Sequence, residues 1–239
     1  MTKVAAGSTR ERSPREMTAP GVHDVVVRQI PPAPARVLDL GSGEGALASR
    51  LTELGYQVVA CDLNPAKTTK FGSLRLTLEG EWPFYPGVFD IVLLVEVIEH
   101  VDDPAGVVRR AIQTLRPGGT IIVTTPNIQN FLARTHFLRD GLYGRFFQAE
   151  DLARSRGVRG SDHISPVHPT TLHRMLSEAG ATVVAVSTNR QLQVRQVNSI
   201  SSILAKLVEV FGAAFMIPKE PVLLFGEIIV MRGVKAETR

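Results

Sequence analysis

Glu96, Glu99 and His100 place two carboxylates and an imidazole within five positions, directly after the apolar run 89–95. Residues three and four apart share one face of a helix, so these side chains converge if the stretch is helical. They could then hold a divalent cation, with Asp162-His163 offering a further ligand downstream. A mixed carboxylate and imidazole set suits Mg, Mn or Zn. The other reading makes His100 a lone general base, with the glutamates capping the helix or ordering the ring. A second group is the string Val37-Leu38-Asp39-Leu40-Gly41-Ser42-Gly43-Glu44-Gly45, followed by Asp62. Glycines let a backbone approach a ligand without a Cβ in the way. A carboxylate at the end of the next strand is placed to take both hydroxyls of a ribose. Two ligands satisfy this pattern, because Gly41-x-Gly43-x-x-Ala46 with Asp62 also fits a dinucleotide such as NAD. A third reading is purely structural, with the glycines serving tight turns. Asp39 favours a cationic ligand, since a carboxylate beside the loop would repel a pyrophosphate.

These residues need a scaffold, and the rest of the chain alternates strand and helix patterns at short intervals, as a parallel sheet with helices on both faces requires. Residues 17–30 read as a weak amphipathic helix, closed by the prolines at 31, 32 and 34. Strands are expected at 36–40, 58–61, 74–78, 89–95, 120–124, 182–186 and 227–231. Helices are expected at 46–54, with Gly55 as its stop, and at 104–115, ended by Pro117-Gly118-Gly119. A further helix is expected at 169–179, with Leu172, Met175, Leu176 and Ala179 on one face. Residues 127–160 read as irregular and basic, and 200–215 as a helix with one apolar stripe. His163 and His168 fall in a loop held by Pro166 and Pro169, whereas His173 sits inside a helix and reads as structural. The expected organisation is a disordered tail over 1–16 and one domain over 17–239, with inserts at about 127–165 and 199–217.

Composition narrows the function. The chain has 239 residues, 44% apolar and 21% charged, the profile of an ordinary water-soluble fold. One cysteine, Cys61, excludes an internal disulfide and a cysteine-based zinc site. The first twenty residues lack the apolar core of a secretory signal, and the cytoplasm is the expected compartment. From Leu132 to Arg174 seven arginines stand against four acids, so this segment could face phosphate, an anionic acceptor or a lipid surface, or simply water.

Asp39 through Gly45, Asp62, the pair Phe89-Asp90 leading to Glu96-Val97-Ile98-Glu99-His100-Val101, and Leu115-Arg116-Pro117-Gly118-Gly119 together resemble the class I S-adenosylmethionine-dependent methyltransferases. The resemblance is close over 35–127 and looser over 169–186, where a helix ending in Glu178-Ala179-Gly180 leads into a strand. It implies an α/β fold: a Rossmann-like, doubly wound sheet of seven strands, mostly parallel, with the last one antiparallel. It implies S-adenosyl-L-methionine as cofactor. Asp39, Gly41, Ser42 and Gly43 would line its methionine end, Asp62 its ribose, and Leu63 its adenine. The adenine contact at the third strand falls at Thr77-Leu78, followed by Glu79, and Trp82-Pro83-Phe84-Tyr85 would cover the cofactor's edge. The Glu-x-x-Glu-His string is similar to that of quinone-pathway O-methyltransferases and of enzymes that methylate the terminal ribose of small RNAs. That likeness implies Glu96, Glu99, His100 and His163 as ligands of a divalent metal, although the string also occurs in methyltransferases without one.

The expected reaction is O-methylation of a hydroxyl on a small-molecule, glycan or lipid-linked acceptor, with His100 as the catalytic base. Peripheral membrane contact through 200–215 is a further expectation. Rival readings are an RNA ribose methyltransferase, favoured by the basic segment, an NAD-dependent oxidoreductase, and a catalytically silent binding module.

Overall fold

A strand covered on both faces reads as an unbroken apolar run. Arg36–Leu40 (β1) and Phe89–Val95 (β4) are buried at all but one position each. The computed structural model describes residues 14–68, 70–141, 143, 146, 163–192 and 221–237. Gln57–Asp62 (β2), Gly72–Arg75 (β3), Leu115–Pro126 (β5), Ala181–Thr188 (β6) and Ile228–Lys235 (β7) complete a seven-stranded sheet. Its order is β3-β2-β1-β4-β5-β7-β6. The first five are mutually parallel, and β7 runs antiparallel to β5 and β6. This is the Rossmann-like, mostly parallel sheet with an antiparallel last strand that the sequence implies.

Alternation along the strands feeds two cores. Leu38, Leu40, Val92, Leu94, Ile121 and Val123 pack against Pro104–Thr114 (α3) and Pro169–Glu178 (α5). Val37, Ile91, Leu93 and Ile122 face Val22–Gln29 (α1) and Ala46–Glu53 (α2). Asp103 starts α3 by accepting from Gly106 N at 2.8 Å, as an N-cap carboxylate does.

Several boundaries differ from expectation. The first helix is eight residues long rather than spanning 17–30, because Gly21 turns left-handed (φ 81°) immediately before it. β3 ends at Arg75, so Leu78 lies beyond the strand. β5 starts at Leu115 and runs through Pro117-Gly118-Gly119, where its register against β4 shifts between Phe89 and Ile91. Residues 127–160 are not irregular throughout: Phe131–Asp140 (α4) is a helix, capped by the Asn130 side chain on Ala133 N. A short helix, Pro221–Phe225 (α6), precedes β7. The tail over 1–13, most of 142–162 with Asp162, and the stripe at 200–215 lie outside the described residues. Among the described residues no helix is long and apolar enough to cross a membrane.

Candidate active site

β1 delivers the chain into the glycine loop at the carboxyl edge of the sheet, beside the point where strand order reverses between β1 and β4. Ligands of open α/β sheets bind at such a crevice. Gly41 N and Ser42 N both donate to Cys61 O, at 2.7 and 3.0 Å, folding the loop over the end of β2. Gly41 sits at φ 72°, and a Cβ there would lie 2.4 Å from Val97 Cγ2. Only glycine lets the loop and the chain after β4 come this close.

Asp39 is 2% exposed, and its Oδ2 has no hydrogen-bond partner among the described residues. Burial, and then the charge of Asp62, push its carboxyl up to about 7. Ser42 Oγ is likewise buried without a partner. The Asp62 carboxylate accepts from Gly43 N and from Asn64 N, each at 2.9 Å. A carboxylate offers about four lone-pair directions, so capacity remains for the hydroxyls of a ribose. A buried carboxylate oxygen lacking a donor among the described residues, beside a loop with glycine at every second position, fits the ammonium end of S-adenosylmethionine. Leu63 is 56% exposed next to Asp62, an apolar surface suited to a purine face. The Leu78 carbonyl accepts from Trp82 Nε1 at 3.1 Å and from Arg110 at 2.7 Å. Arg110 also lies over the Trp82 ring, 5.4 Å from its centroid, so this indole packs towards α3. Glu79 Oε1 accepts from Asp102 N at 2.6 Å and ties the same edge to the turn carrying His100.

That turn is a short 3₁₀ segment, Ile98–His100, in place of the expected α-helix. Glu96 precedes it with φ 55°, a left-handed conformation rare outside glycine. Its N–H donates to Thr124 Oγ1 at 2.9 Å, and its Oε1 accepts the Thr124 hydroxyl at 3.0 Å. Helical spacing therefore does not apply, and Glu96 stands outside the ligand group expected for it. The structure does bring Glu99, His100 and His163 together, with one donor atom from each lying within 4.8 Å of the others. Glu99 is fully buried, and the His100 and His163 rings meet edge to face with centroids 4.6 Å apart. His163 is carried in by backbone bonds that its neighbours make to the 3₁₀ turn. Ile164 N and Ser165 N donate to Glu99 O at 2.8 and 3.0 Å, and Ser165 Oγ donates to Val101 O at 2.6 Å. His168 is engaged elsewhere, its Nδ1 accepting from Thr170 N at 3.3 Å and sharing a hydrogen bond with the Thr170 hydroxyl at 2.7 Å at the start of α5.

Thr124, Ser165 and Phe146 were not anticipated from sequence. Thr124 left a trace, a hydroxyl residue in a β-branched buried strand. Ser165 and Phe146, whose ring lies 5.3 Å from that of His163, sit in segments without any period to read. Two imidazoles and a buried carboxylate at this edge can accept a proton from a hydroxyl or ligate a cation.

The family described as a methyltransferase domain matches residues 11–186 of the sequence. The chain belongs to that family. This methyltransferase domain uses S-adenosyl-L-methionine, and the dinucleotide reading of the glycine loop falls away. The fold is shared with a SAM-dependent methyltransferase from Archaeoglobus fulgidus (TM-score 0.62, 19% identity, 90% of this chain and 93% of that one). It is shared too with an S-adenosylmethionine-dependent methyltransferase from Mesorhizobium loti (TM-score 0.56, 15% identity, 89% and 96%). A ubiquinone biosynthesis O-methyltransferase from Xanthomonas campestris pv. campestris (strain B100) is 36% identical over 115 residues, 44% of this chain and 48% of that protein. The similarity thus spans about half the length of the curated relatives it matches.

Proposed function

We propose that this methyltransferase domain moves the methyl group of S-adenosylmethionine to a hydroxyl oxygen of a small-molecule acceptor. The convergence of Glu99, His100 and His163 at the end of β4 carries the reading, because transfer to oxygen requires somewhere for the hydroxyl proton to go. The likeness to ubiquinone biosynthesis O-methyltransferases over 115 residues supports it. In this reading Asp39 holds the cofactor's ammonium, and the amides of Gly41, Ser42 and Gly43 border its methionine end. Asp62 takes the ribose hydroxyls, and Leu63 and Leu78 flank the adenine. The sulfonium methyl is already activated, so in-line placement of the acceptor supplies much of the rate. When bound, the cofactor would supply the methyl group, the new carbon–oxygen bond replacing its sulfur–carbon bond. His100 would receive the hydroxyl proton.

The same three residues fit a divalent cation. One carboxylate oxygen and two imidazole nitrogens are a donor set that Zn or Mn accepts, and the converging group is Glu99, His100 and His163, with Glu96 Oε1 bonded to the Thr124 hydroxyl. A cation held there supplies charge that lowers the acceptor hydroxyl's pKa. We place the reaction in the cytoplasm as part of the same reading, on composition.

Incubation with methyl-labelled cofactor and fractionated cell extract tests the function. Label is expected in small-molecule or lipid-linked pools as O-methyl groups, and label confined to RNA or protein would overturn the proposal. Chelation then separates the two roles of the histidines. With a cation, activity vanishes on chelation, returns with Mn or Zn, and Glu99→Gln costs as much as His100→Ala. With His100 as base alone, chelation changes nothing and Glu99→Gln costs far less.

A further inference from the structure

The chain enters α1 through residues 14–21, and this stretch is tied down at two places. Arg15 N donates to Glu44 Oε2 at 2.9 Å, which fastens one end to the glycine loop after β1. Asn189, directly past the end of β6, donates its amide to Pro20 O at 3.1 Å and fastens the other. A Cβ placed on Gly21 would lie 3.6 Å from Asn189 O, so the two backbones also touch there. β6 runs antiparallel to β7 and β7 antiparallel to β5, so β6 points the same way as β1 and both ties sit at the carboxyl edge. In the sheet β6 lies four places from β1, with β4, β5 and β7 between them. Residues 15–20 therefore form a strap from one half of the sheet to the other. Within it the Thr18 hydroxyl donates to Glu16 Oε1 at 3.1 Å, and that oxygen stands 3.6 Å from His23 Nδ1 in α1.

Asn189 is itself held from both sides. Its Oδ1 accepts from Ile228 N at 3.0 Å, and its amide also donates to Glu227 Oε2 at 3.2 Å. Glu227 is 8% exposed and takes the Arg190 guanidinium on both oxygens. An asparagine amide has two N–H donors. One serves this buried network and the other is spent on the strap. Where the strap passes the glycine loop it presents Met17, whose Sδ would lie 3.9 Å from a Cβ placed on Gly43. Met17 is 74% exposed. A flexible thioether held over a ligand loop yet left in water is apolar surface that a bound ligand can cover.

We propose that Asn189 is a positioning residue for the cofactor, fixing the far end of the strap so that Met17 closes over the methionine end of S-adenosylmethionine. The assignment rests on the seating of the cofactor at the glycine loop and is independent of the acceptor. Asn189 acts only through Pro20 and the strap, so the β6–β7 half of the sheet governs how tightly the other half keeps its ligand.

Calorimetric titration of the full chain with S-adenosylhomocysteine tests this. Met17→Ala is expected to weaken binding about tenfold, the worth of covering most of one methionine side chain. Asn189→Ala should weaken it about fivefold in the native background and by no more than about twofold in the Met17→Ala background, because the strap then has nothing to press on the ligand. Equal losses in both backgrounds would mean that Asn189 acts on the fold and not through the strap, and would overturn the proposal. A second readout uses the native chain. Trypsin cleavage after Arg15, followed by mass spectrometry, should slow at least tenfold when S-adenosylhomocysteine is bound, and the same cleavage in Asn189→Ala should be insensitive to it. Cleavage of the native chain at one rate with and without ligand would also overturn closure. Asp62→Ala separates the strap from the seating of the cofactor. Binding lost in Asp62→Ala but untouched in Met17→Ala would sink the strap alone, whereas binding untouched in both would sink the seating and the strap with it.

Discussion

Burial keeps the Asp39 carboxyl protonated far above the usual carboxylate range, and Asp62 beside it adds to the effect, so the group titrates at about 7. The unfolded chain gives up that proton near 3.8. Below 3.8 both states hold it and pH has no leverage. From there to about 7 only the unfolded state ionises, so stability falls as pH rises, and above 7 the penalty of about 4 kcal/mol is complete. Without cofactor, Asp39→Asn is expected to gain up to that amount at pH 8 and nothing at pH 4, as read by urea unfolding. The same variant should bind S-adenosylhomocysteine more weakly despite its stability, because it presents no anion to the ammonium. Binding to the native protein at pH 6.5 should release a proton, visible as a dependence of calorimetric heat on the buffer's ionisation enthalpy. Constant heat across buffers would remove Asp39 from the cofactor's ammonium. Gly41 supplies a second test at this scale. Gly41→Ala drives a Cβ into Val97 and should abolish S-adenosylhomocysteine binding. Val97→Ala removes both methyl groups and leaves only its own Cβ, at 3.4 Å. The double variant should recover at least tenfold in affinity over Gly41→Ala, short of native by the left-handed strain of about 1–2 kcal/mol. Absence of rescue would mean that the loop and the chain after β4 are not coupled there.

The junction between β5 and α4 depends on one amide. Asn127 is 2% exposed and donates to Leu223 O near the end of α6 and to Gly226 O, so Asn127→Ala takes a donor from each and leaves Gly226 O only the longer bond from Asn130, at 3.3 Å. A loss of about 2–4 kcal/mol is expected in denaturant unfolding, at roughly 1–3 kcal/mol for each unsatisfied group. Much of this architecture was legible in the sequence wherever burial imposed a period. β1, β4 and the helices α2, α3 and α5 fall within a residue or two of their expected bounds, because each buries one face or both. α4 escaped notice because its apolar residues come as Phe131-Leu132-Ala133 and Phe137-Leu138, with no single stripe, and Leu138 is left 78% exposed. The loop that gathers Asp39, Gly41, Gly43 and Asp62 was readable because those residues are tied together by local spacing. Glu96 was misread for a conformational reason. Its left-handed backbone breaks the helical count that would have aligned it with Glu99 and His100. His163 stood out as a ligand type. The backbone bonds to Glu99 that bring it in from 64 residues away had no counterpart in any pattern.

At the scale of the whole molecule, cofactor binding should register as stability. S-adenosylhomocysteine at a hundred times its Kd is expected to add about 2.7 kcal/mol. For a chain of this length that raises Tm by roughly 5–10 °C, measurable by calorimetry, whereas NAD should leave Tm unchanged. Stabilisation by NAD in place of S-adenosylhomocysteine would contradict the cofactor assignment. The sheet divides this molecule into two halves at β4. β3, β2 and β1 carry the glycine loop and Asp62, while β5, β7 and β6 form the other half. β7 is the last strand along the chain, yet it lies inside the sheet, between β5 and β6. During synthesis β5 is made about a hundred residues before its neighbour exists. At roughly 5–20 residues per second that interval lasts about 5–20 seconds. For that time the outer edge of β5 presents unpaired backbone groups, and β6 has no strand to join. The cofactor half has all its strands before this interval begins. S-adenosylmethionine could thus bind a nascent chain still attached to the ribosome and hold one half folded, while the other half waits for the final strand to slot into place.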